Sequence, residues 1–515
     1  MMARIYAKAE RVVIWLGTTQ ADSLTSEIAM EEFGDPGGLA KISRMITEKD
    51  QIWKWASLLD LMNNTYWKRM WVIQELVVAN DVIIQCGNSK MHFGLFRDAV
   101  ALFSASFETL RPKLMQHLEG LHQDKKHWAL DPDLEIGNIA ATQAVDALST
   151  FRRNQDGTLQ QTKSLETLLC LFQDRIASDP RDKVYALLAL AKDGSYFNPN
   201  YSKSVFSVYK QFVQHSINTT QSLDIICHRW ARQPSPSGSE SRSTSRLPSW
   251  MLPDDEYEYG SRKGEGNLLR SRKASDTFVG ILDKKSYTAC GAGSRRKHPA
   301  VVFPGTTMVD GQMTESTCLM ARGTAIGSIT FCTQSMTDCV IPGACFEKLG
   351  FSRGTRNKDN ARLQDRVWRT LVADRGPDNT TCPSWYPRAA QHCLEGWLCN
   401  GHLNTDRAIY ETVSYATPYL ARVRNVIRDR TFFELKSNIP DSKEHSTLFG
   451  LGPSHASEGD LIVILHGCSV PVVIRPVHIV SGSQGYRFIG EAFVYGRMEG
   501  EIFDTDYEEV MYTLV

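Results

Sequence analysis

Residues 66–87 read YWKRMWVIQELVVANDVIIQCG and place a helical pattern directly before a strand pattern. Apolar and aromatic side chains recurring every three or four positions predict a helix over residues 66–79. The run Val82–Cys86 is a short apolar strand candidate, and so is the run at residues 12–16; a glycine closes each one. Parallel strands need a crossover connection, so two such strands separated by helices predict one mostly parallel sheet.

Glu75 occupies an unusual place in the predicted helix. A helix over residues 66–79 puts four side chains on one face: Trp67, Trp71, Glu75 and Val78. A carboxylate within an aromatic stripe must be paired, must have a raised pKa, or must line a cleft. Such a group suits general acid/base work or stabilisation of a cationic transition state. The alternative, and the commoner case, is a structural Glu75 that pairs with a nearby arginine such as Arg11 or Arg69, or that lies at the edge of the core.

The composition is that of a globular protein without a strong charge bias. The chain has 515 residues, of which 42% are hydrophobic and 23% are charged, and this length predicts two to four packed units. Lys+Arg and Asp+Glu number 58 each, so no global attraction to nucleic acid or an anionic membrane is expected. No apolar run approaches the roughly 18 residues of a membrane span.

The cysteine content and the N-terminus both indicate a cytoplasmic protein. Twelve cysteines in a chain of this length are too few for a disulfide scaffold, so reduced thiols are expected. The apolar run at residues 12–16 is too short for a signal peptide and follows Glu10 and Arg11. A weak transit peptide is the alternative to an ordinary helix that leads into a strand.

The sequence pattern divides the chain into five regions. These are an α/β region at 1–90, a helical region at 91–232, a flexible linker at 233–246, a mixed α/β region with loops at 247–364, and a β-rich region at 365–515. The linker is placed on SPSGSESRSTS, residues 235–245, which has too little apolar surface to offset its ordering entropy. Apolar runs at 460–466, 470–475 and 486–495 predict a small antiparallel sheet or barrel.

Other motifs are weak. Cys382, His392, Cys393 and Cys399 lie near one another in sequence but lack the short knuckle spacing of a structural zinc site. We therefore favour free thiols and expect no metal, with zinc as the alternative. The basic run at residues 295–298 has no aromatic interleaving, which favours a solvated loop over a nucleic-acid site. No phosphate loop or dinucleotide fingerprint occurs, so no cofactor is expected.

Several stretches together resemble the fungal heterokaryon-incompatibility (HET) domain family. ARIYAKAERVVIWLG at residues 3–17 resembles the mid-domain helix and strand of that family, and WKRMWVIQE at residues 67–75 resembles its next block. Further blocks resemble sequences found downstream of the domain: 178–188, 247–250, 367–371, 450–453 and 459–467. Each match alone is weak, but their order along the chain is specific. Residues 1–90 are thus interpreted as a partial HET domain.

The resemblance implies a fold and a chemistry. HET domains are regarded as similar to Toll/interleukin-receptor domains, whose NAD-cleaving members carry a glutamate after a Trp-Cys pair on a helix. The resemblance therefore implies a Toll/interleukin-receptor-like sheet with helices, Glu75 as the catalytic carboxylate, Trp71 in the nucleotide site, and NAD as a substrate. Complete HET domains begin with a Tyr-x-Trp-Gly-like strand and a Trp-Ile-Asp-x-x-Cys-Ile-Asn-Gln block. Neither occurs here, which implies an N-terminally truncated domain with little or no NAD cleavage.

The function implied by the resemblance is fungal nonself recognition and programmed cell death signalling. The alternatives are a non-enzymatic protein-binding module and a degenerate family copy. We expect a protein partner, which the sequence does not identify, and a homo-oligomer stays open. If Glu75 is catalytic, its carboxylate should be partly buried and should lie on the same helix face as Trp71.

Overall fold

The computed structural model describes residues 2–17, 33, 46, 48, 51–121, 139–155, 157–231, 247–251, 277–281, 284–309, 312–336, 338–351, 364–411, 416–438, 447–478 and 484–515. They belong to two compact units, the first within residues 1–208 and the second within residues 209–256 and 274–515. The predicted linker at 233–246 lies outside the described residues.

The first unit opens with a small sheet and its helices. The elements are α1 Met2–Lys8, β1 Val12–Trp15, α2 Ile52–Met62, a 3₁₀ helix Thr65–Lys68, α3 Trp71–Val78, β2 Val82–Cys86 and β3 Ser89–His92. β1 runs parallel to β2, with Val12 opposite Val82 and Ile14 opposite Ile84, which confirms the predicted parallel pair. β3 returns antiparallel to β2 through a hairpin. The sheet has three strands in the order β1-β2-β3.

The predicted helix over residues 66–79 is wrong in its first turn. The chain makes a 3₁₀ helix that ends at Lys68, extends at Arg69, and begins α3 at Trp71. The cause is a tertiary contact, because Met70 N–H donates to Ile176 O at 2.8 Å and Ile176 N–H donates to Lys68 O at 2.6 Å. These backbone groups pair with a distant segment instead of continuing the helix.

Trp67 consequently leaves the face that carries Glu75. Its indole is fully buried and stacks on Phe96, with ring centroids 4.9 Å apart and planes 8° apart. Its ring N–H donates to Leu61 O at 2.9 Å. The aromatic stripe proposed from the sequence is therefore divided, with Trp67 in the core and only Trp71 on the helix of Glu75.

The rest of the first unit is mainly helical. Its elements are α4 Phe93–Leu121, α5 Ala140–Ser149, the two-residue strands β4 Arg152–Arg153 and β5 Leu159–Gln160, α6 Leu165–Leu171 and α7 Asp182–Tyr185. A longer helix, α8 Val205–Thr220, begins at the end of the first unit, and most of its residues belong to the second. These elements agree with the helical middle predicted from the sequence. Among the described residues, no helix is both long enough and apolar enough to cross a membrane.

The second unit is built on a nine-stranded sheet. Outside this sheet, β6 Gly280–Ile281 pairs with β7 Lys284–Lys285, and β9 Thr306–Val309 pairs with β10 Gln312–Glu315, both antiparallel. The nine strands are β8 Val301–Val302, β11 Leu319–Cys332, β15 Arg430–Ser437, β16 Thr447–Pro453, β17 Leu461–Leu465, β18 Val472–His478, β19 Gln484–Glu491, β20 Phe493–Val494 and β21 Val510–Leu514.

Five of these strands close into a ring. β11 pairs with β17, β17 with β18, β18 with β19, β19 with β21, and β21 again with β11. Fully buried aliphatic side chains such as Ile326, Ile462, Ile464 and Val473 belong to its core cluster. The small antiparallel sheet or barrel predicted near the C-terminus is confirmed, although β19 and β21 meet in parallel.

The β-rich region differs from its predicted limits. Residues 365–427 hold helices, namely α10 Asp365–Leu371, α11 Tyr386–Gly396, α12 Thr405–Glu411 and α13 Thr417–Ile427. A short helix, α9 Gly343–Lys348, and a small sheet of β12 Val340–Ile341, β13 Leu398–Cys399 and β14 His402–Asn404 complete the unit. The longest strand, β11, comes from the region predicted as mixed α/β. The sheet thus joins strands that are more than a hundred residues apart in the sequence.

Candidate functional site around Glu75

Glu75 lies on α3, one helical turn after Trp71, and its side chain is partly buried. Both carboxylate oxygens accept hydrogen bonds from tyrosines. The Tyr66 hydroxyl donates to Oε2 at 2.6 Å, and the Tyr6 hydroxyl donates to Oε1 at 3.1 Å. Three elements therefore meet at this carboxylate: α1, the 3₁₀ helix before α3, and α3 itself.

The environment of the carboxylate keeps both tyrosines in their neutral, donating form. Burial, then the charge of Glu75 and the hydrogen bond to it, raise the pKa of Tyr6 from 10.0 to about 12. The same causes in the same order raise the pKa of Tyr66 well above its ordinary value. An ionised carboxylate accepts from both hydroxyls at once, and a charge-assisted O–H···O⁻ bond is typically as short as that from Tyr66.

The arginines considered as partners of Glu75 do not pair with it. Arg11 instead forms an exposed ion pair with Asp81, with Nε 2.5 Å from Oδ2. The charge of Arg69 is close enough to oppose the rise in the pKa values of both tyrosines. Within the described part of the chain, Glu75 makes hydrogen bonds to tyrosines and no ion pair. The arginine partners proposed from the sequence are therefore wrong, whereas a position at the edge of the core agrees with the partial burial of Glu75.

Trp71 is held by the carboxylate of Asp182, which also binds Tyr201. Its indole N–H donates to Asp182 Oδ2 at 3.0 Å, and the Tyr201 hydroxyl donates to Asp182 Oδ1 at 2.6 Å. One turn away, the buried Gln74 amide donates to Ala186 O at 3.2 Å. The block at residues 178–188, noted separately in the sequence, therefore packs directly against the helix that carries Glu75.

A cleft of about 460 Å³ lies beside other residues of α3. Its lining includes Leu76, Val77, Phe93, Leu148 and Arg153, and neither Glu75 nor Trp71 belongs to it. The Arg153 guanidinium donates to Val77 O and Ala79 O and so satisfies carbonyls at the C-terminal end of the helix. This cleft is therefore distinct from the predicted site.

The remaining sequence candidates do not assemble into a metal site. Among the described residues, no three His, Cys, Asp or Glu side chains come together in an arrangement that could hold a metal ion. Cys393 is buried in α11, whereas Cys399 is exposed in β13. In the basic run at 295–298, Arg295 pairs with Asp504 at 2.5 Å and Lys297 with Glu509 at 2.9 Å, so these charges are partly matched within the second unit.

Two family models match the chain, one near each end. The model described as "Heterokaryon incompatibility protein (HET)" matches residues 1–75, the segment that ends at Glu75. The model described as "Het-6 beta-barrel domain" matches residues 443–514, which contain β16 to β21. The chain thus carries a HET-domain segment at residues 1–75. The HET match contains β1 and the first part of α3 but ends before β2 and β3, and the barrel match contains four of the five ring strands but not β11.

A protein of Neurospora crassa is similar to this chain along nearly the whole length of the chain. "Heterokaryon incompatibility protein 6, OR allele" is 24% identical over 594 residues, which span 99% of this chain and 79% of the relative. No solved structure gives a significant match. The similarity therefore reaches well beyond the two matched segments.

Sequence reasoning missed the partners of the site. Tyr6, Tyr66 and Asp182 hold Glu75 and Trp71, yet none was selected from the sequence. Tyr6 lies 69 positions before Glu75, and Asp182 lies 111 positions after Trp71. The available signal was that all three residues fall inside or beside the blocks that resemble the family.

Proposed function

We propose that this protein acts in fungal nonself recognition, in a response that ends in growth arrest or cell death. One observation carries the proposal: the chain is similar over 99% of its length to a protein named for heterokaryon incompatibility. The two matched segments, at 1–75 and 443–514, support it because they occur in one chain in this order. A protein partner delivers the recognition signal in this proposal.

The finer proposal places the effector chemistry at Glu75, with NAD as the substrate. Cleavage of the nicotinamide–ribose bond passes through an oxocarbenium-like state, which a nearby carboxylate stabilises electrostatically. Glu75 supplies a carboxylate whose two oxygens are fixed by hydroxyl donors, and Trp71 supplies an aromatic surface one turn away. A parallel β1–β2 pair with helices between its strands in the sequence is compatible with a Toll/interleukin-receptor-like sheet.

A second candidate function is protein binding without chemistry. It is favoured by the occupancy of the site, because both Glu75 oxygens already accept from tyrosines and the indole N–H of Trp71 is used by Asp182. In this case α3 is a structural centre of the first unit, and recognition belongs to another surface of the chain.

The two candidates separate in a fungal growth assay. The chain is expressed in a filamentous fungus, and growth and viability are scored for the wild type, Glu75→Gln and Glu48→Gln. Glu48 is exposed ahead of α2 in the first unit, so its variant is a matched loss of one charge. If the chemistry at Glu75 causes the arrest, wild type and Glu48→Gln arrest growth and Glu75→Gln does not.

Arrest by all three chains would support protein binding and remove the role of Glu75. Absence of arrest in every case, including with a genetically different fusion partner, would overturn nonself recognition itself. Nicotinamide release by the purified proteins tests the finer proposal. Turnover that survives Glu75→Gln would exclude Glu75 as the reactive carboxylate.

A further inference from the structure

The two hydrogen bonds to Glu75 are unequal. Tyr66 makes the shorter bond, 2.6 Å to Oε2, whereas Tyr6 makes the longer one, 3.1 Å to Oε1. Tyr66 is also well fixed, because its N–H donates to Asn64 Oδ1 at 2.9 Å and its ring packs edge-on against the buried Trp67 at 5.2 Å. The Oε2 side of the carboxylate is therefore built into the fold.

The Oε1 side depends on α1, which is weakly attached. α1 has seven residues and no buried side chain, and Ile5 is 55% exposed. Apart from the Tyr6 bond, Asn80 Nδ2 donates to Ala7 O at 3.1 Å near the C-terminal end of the helix. A helix this short is only marginally stable in water without tertiary packing. Among the described residues, α1 is held by its packing against α3 and by these two hydrogen bonds.

The chain just after α1 is anchored much more firmly. Val12 N–H donates to Asp81 O at 2.9 Å, and Arg11 pairs with the Asp81 carboxylate. β1 then pairs with β2 in parallel. Residues 9–11 therefore separate a loosely held helix from a fixed strand, which allows α1 to move without disturbing the sheet.

We propose that the Tyr6 hydroxyl holds the place of a ligand hydroxyl on Glu75 Oε1, and that a ligand carrying a sugar diol binds there by displacing α1. The exchange is chemically balanced, because a tyrosine O–H and a sugar O–H are both neutral donors to the same carboxylate oxygen. A vicinal diol offers two such donors where Tyr6 offers one. Tyr66 keeps its bond to Oε2 and acts as a positioning residue.

This inference rests on the proposed function for the class of ligand, a ribose-containing nucleotide, but it does not require turnover. Both oxygens of Glu75 accept hydrogen bonds from tyrosines in the structure, and displacement of Tyr6 would free one of them for a ligand. The protein as described is then the closed state, and ligand binding competes with the Tyr6 bond. Removal of the competing hydroxyl must strengthen binding, since affinity rises with the fraction of protein in the binding-competent state.

The test compares Tyr6→Phe with Tyr66→Phe, each of which removes a single hydroxyl and keeps the ring. ADP-ribose is the probe, because it carries the diol and has no nicotinamide bond to cleave. We expect Tyr6→Phe to bind ADP-ribose roughly two- to tenfold more tightly than wild type, the range set by one ordinary hydrogen bond. Tyr66→Phe should bind ADP-ribose no more tightly than wild type. In a Glu75→Ala background, adding Tyr6→Phe should no longer change the affinity for ADP-ribose.

Hydrogen exchange of residues 3–9 provides a second readout. ADP-ribose should increase exchange there in wild type, and Tyr6→Phe should show faster exchange without ligand, whereas Tyr66→Phe should not. Equal affinity of wild type and Tyr6→Phe, or α1 exchange that slows when ADP-ribose binds, overturns the proposal. Absence of binding by both proteins at millimolar ADP-ribose overturns it as well. Displacement of α1 without any nicotinamide release from NAD would retain this inference while rejecting the NAD-cleaving activity.

Discussion

The small sheet of the first unit and the barrel of the second unit use the same kinds of apolar strand in different ways. In the barrel, five strands close on one another and Ile462, Ile464 and Val473 are fully buried. In the small sheet, β1 pairs on one side only among the described residues, and Val13 and Trp15 on its outer face are about half exposed, at 53% and 50%. A closed ring satisfies every strand edge internally, whereas an edge strand leaves backbone groups unpaired.

The barrel and the small sheet also differ in how firmly their polar side chains are packed, and the candidate site lies beside the small sheet. The nine-stranded sheet contains a well-buried ion pair, Arg430–Glu491, whose side chains are 4% and 15% exposed. The site in the first unit has a partly buried carboxylate, partly exposed aromatic rings and a helix without buried residues. Groups that must meet a ligand are commonly drawn from the less stable parts of a fold. The comparison therefore predicts large mutational costs in the barrel and small ones around Glu75.

The largest expected effect is a cavity in the barrel. Ile464→Ala should lower the free energy of unfolding by about 2–5 kcal/mol, because it removes three buried carbons from a closed core. Val13→Ala, the matched change on the outer face of β1, should alter it by less than about 0.5 kcal/mol. Urea denaturation followed by circular dichroism measures both. Equal losses would mean that the outer face of β1 is packed as tightly as the barrel.

An intermediate effect is expected at Trp71. Trp71→Phe removes the N–H that donates to Asp182, which should cost about 0.5–1.5 kcal/mol. Trp53 is 37% exposed on α2, so Trp53→Phe is the matched control and should cost less. The same denaturation measurement applies. If the two variants unfold alike, the contact between α3 and the block at 178–188 contributes nothing measurable.

The smallest effect is a pH dependence at the Tyr6 bond. Burial, then the charge of Glu75 and the hydrogen bond to it, raise the pKa of Tyr6 from 10.0 to about 12, so the neutral tyrosine stabilises the fold fully below pH 10 and this contribution is lost as pH rises towards 12. The stability difference between wild type and Tyr6→Phe should therefore shrink over that window. Denaturation curves at several pH values in this range provide the measurement.

Tyr512 in β21 is the control from the barrel. Burial, as the largest cause, raises its pKa to about 12 as well, and Glu75 is not among its causes. In a Glu75→Gln background, the contribution of Tyr6 between pH 10 and 12 should diminish while that of Tyr512 stays. A contribution from Tyr6 that is unaffected by Glu75→Gln would mean that burial alone sets its pKa.

The sequence patterns anticipated local elements better than long-range partners. Short apolar runs and closing glycines were enough to predict the β1–β2 pair and the strands β17, β18 and β19, because a buried strand leaves a run of apolar residues bounded by turn residues. The helix over residues 66–79 failed at Arg69, where pairing with Ile176 interrupts a locally good helical pattern. Periodicity reports that a side chain is buried and does not report against what.

By itself, the sequence determined that parallel strands lie near the N-terminal end and a barrel near the C-terminal end, and that Glu75 lies on an apolar helix. Only the tertiary structure decided that Tyr6 and Tyr66 hold Glu75, that Asp182 holds Trp71, and that β11 joins the barrel. The physical reason is separation along the chain. Hydrogen bonds between side chains dozens of residues apart depend on how the elements pack, and packing is a property of the whole fold rather than of any one segment.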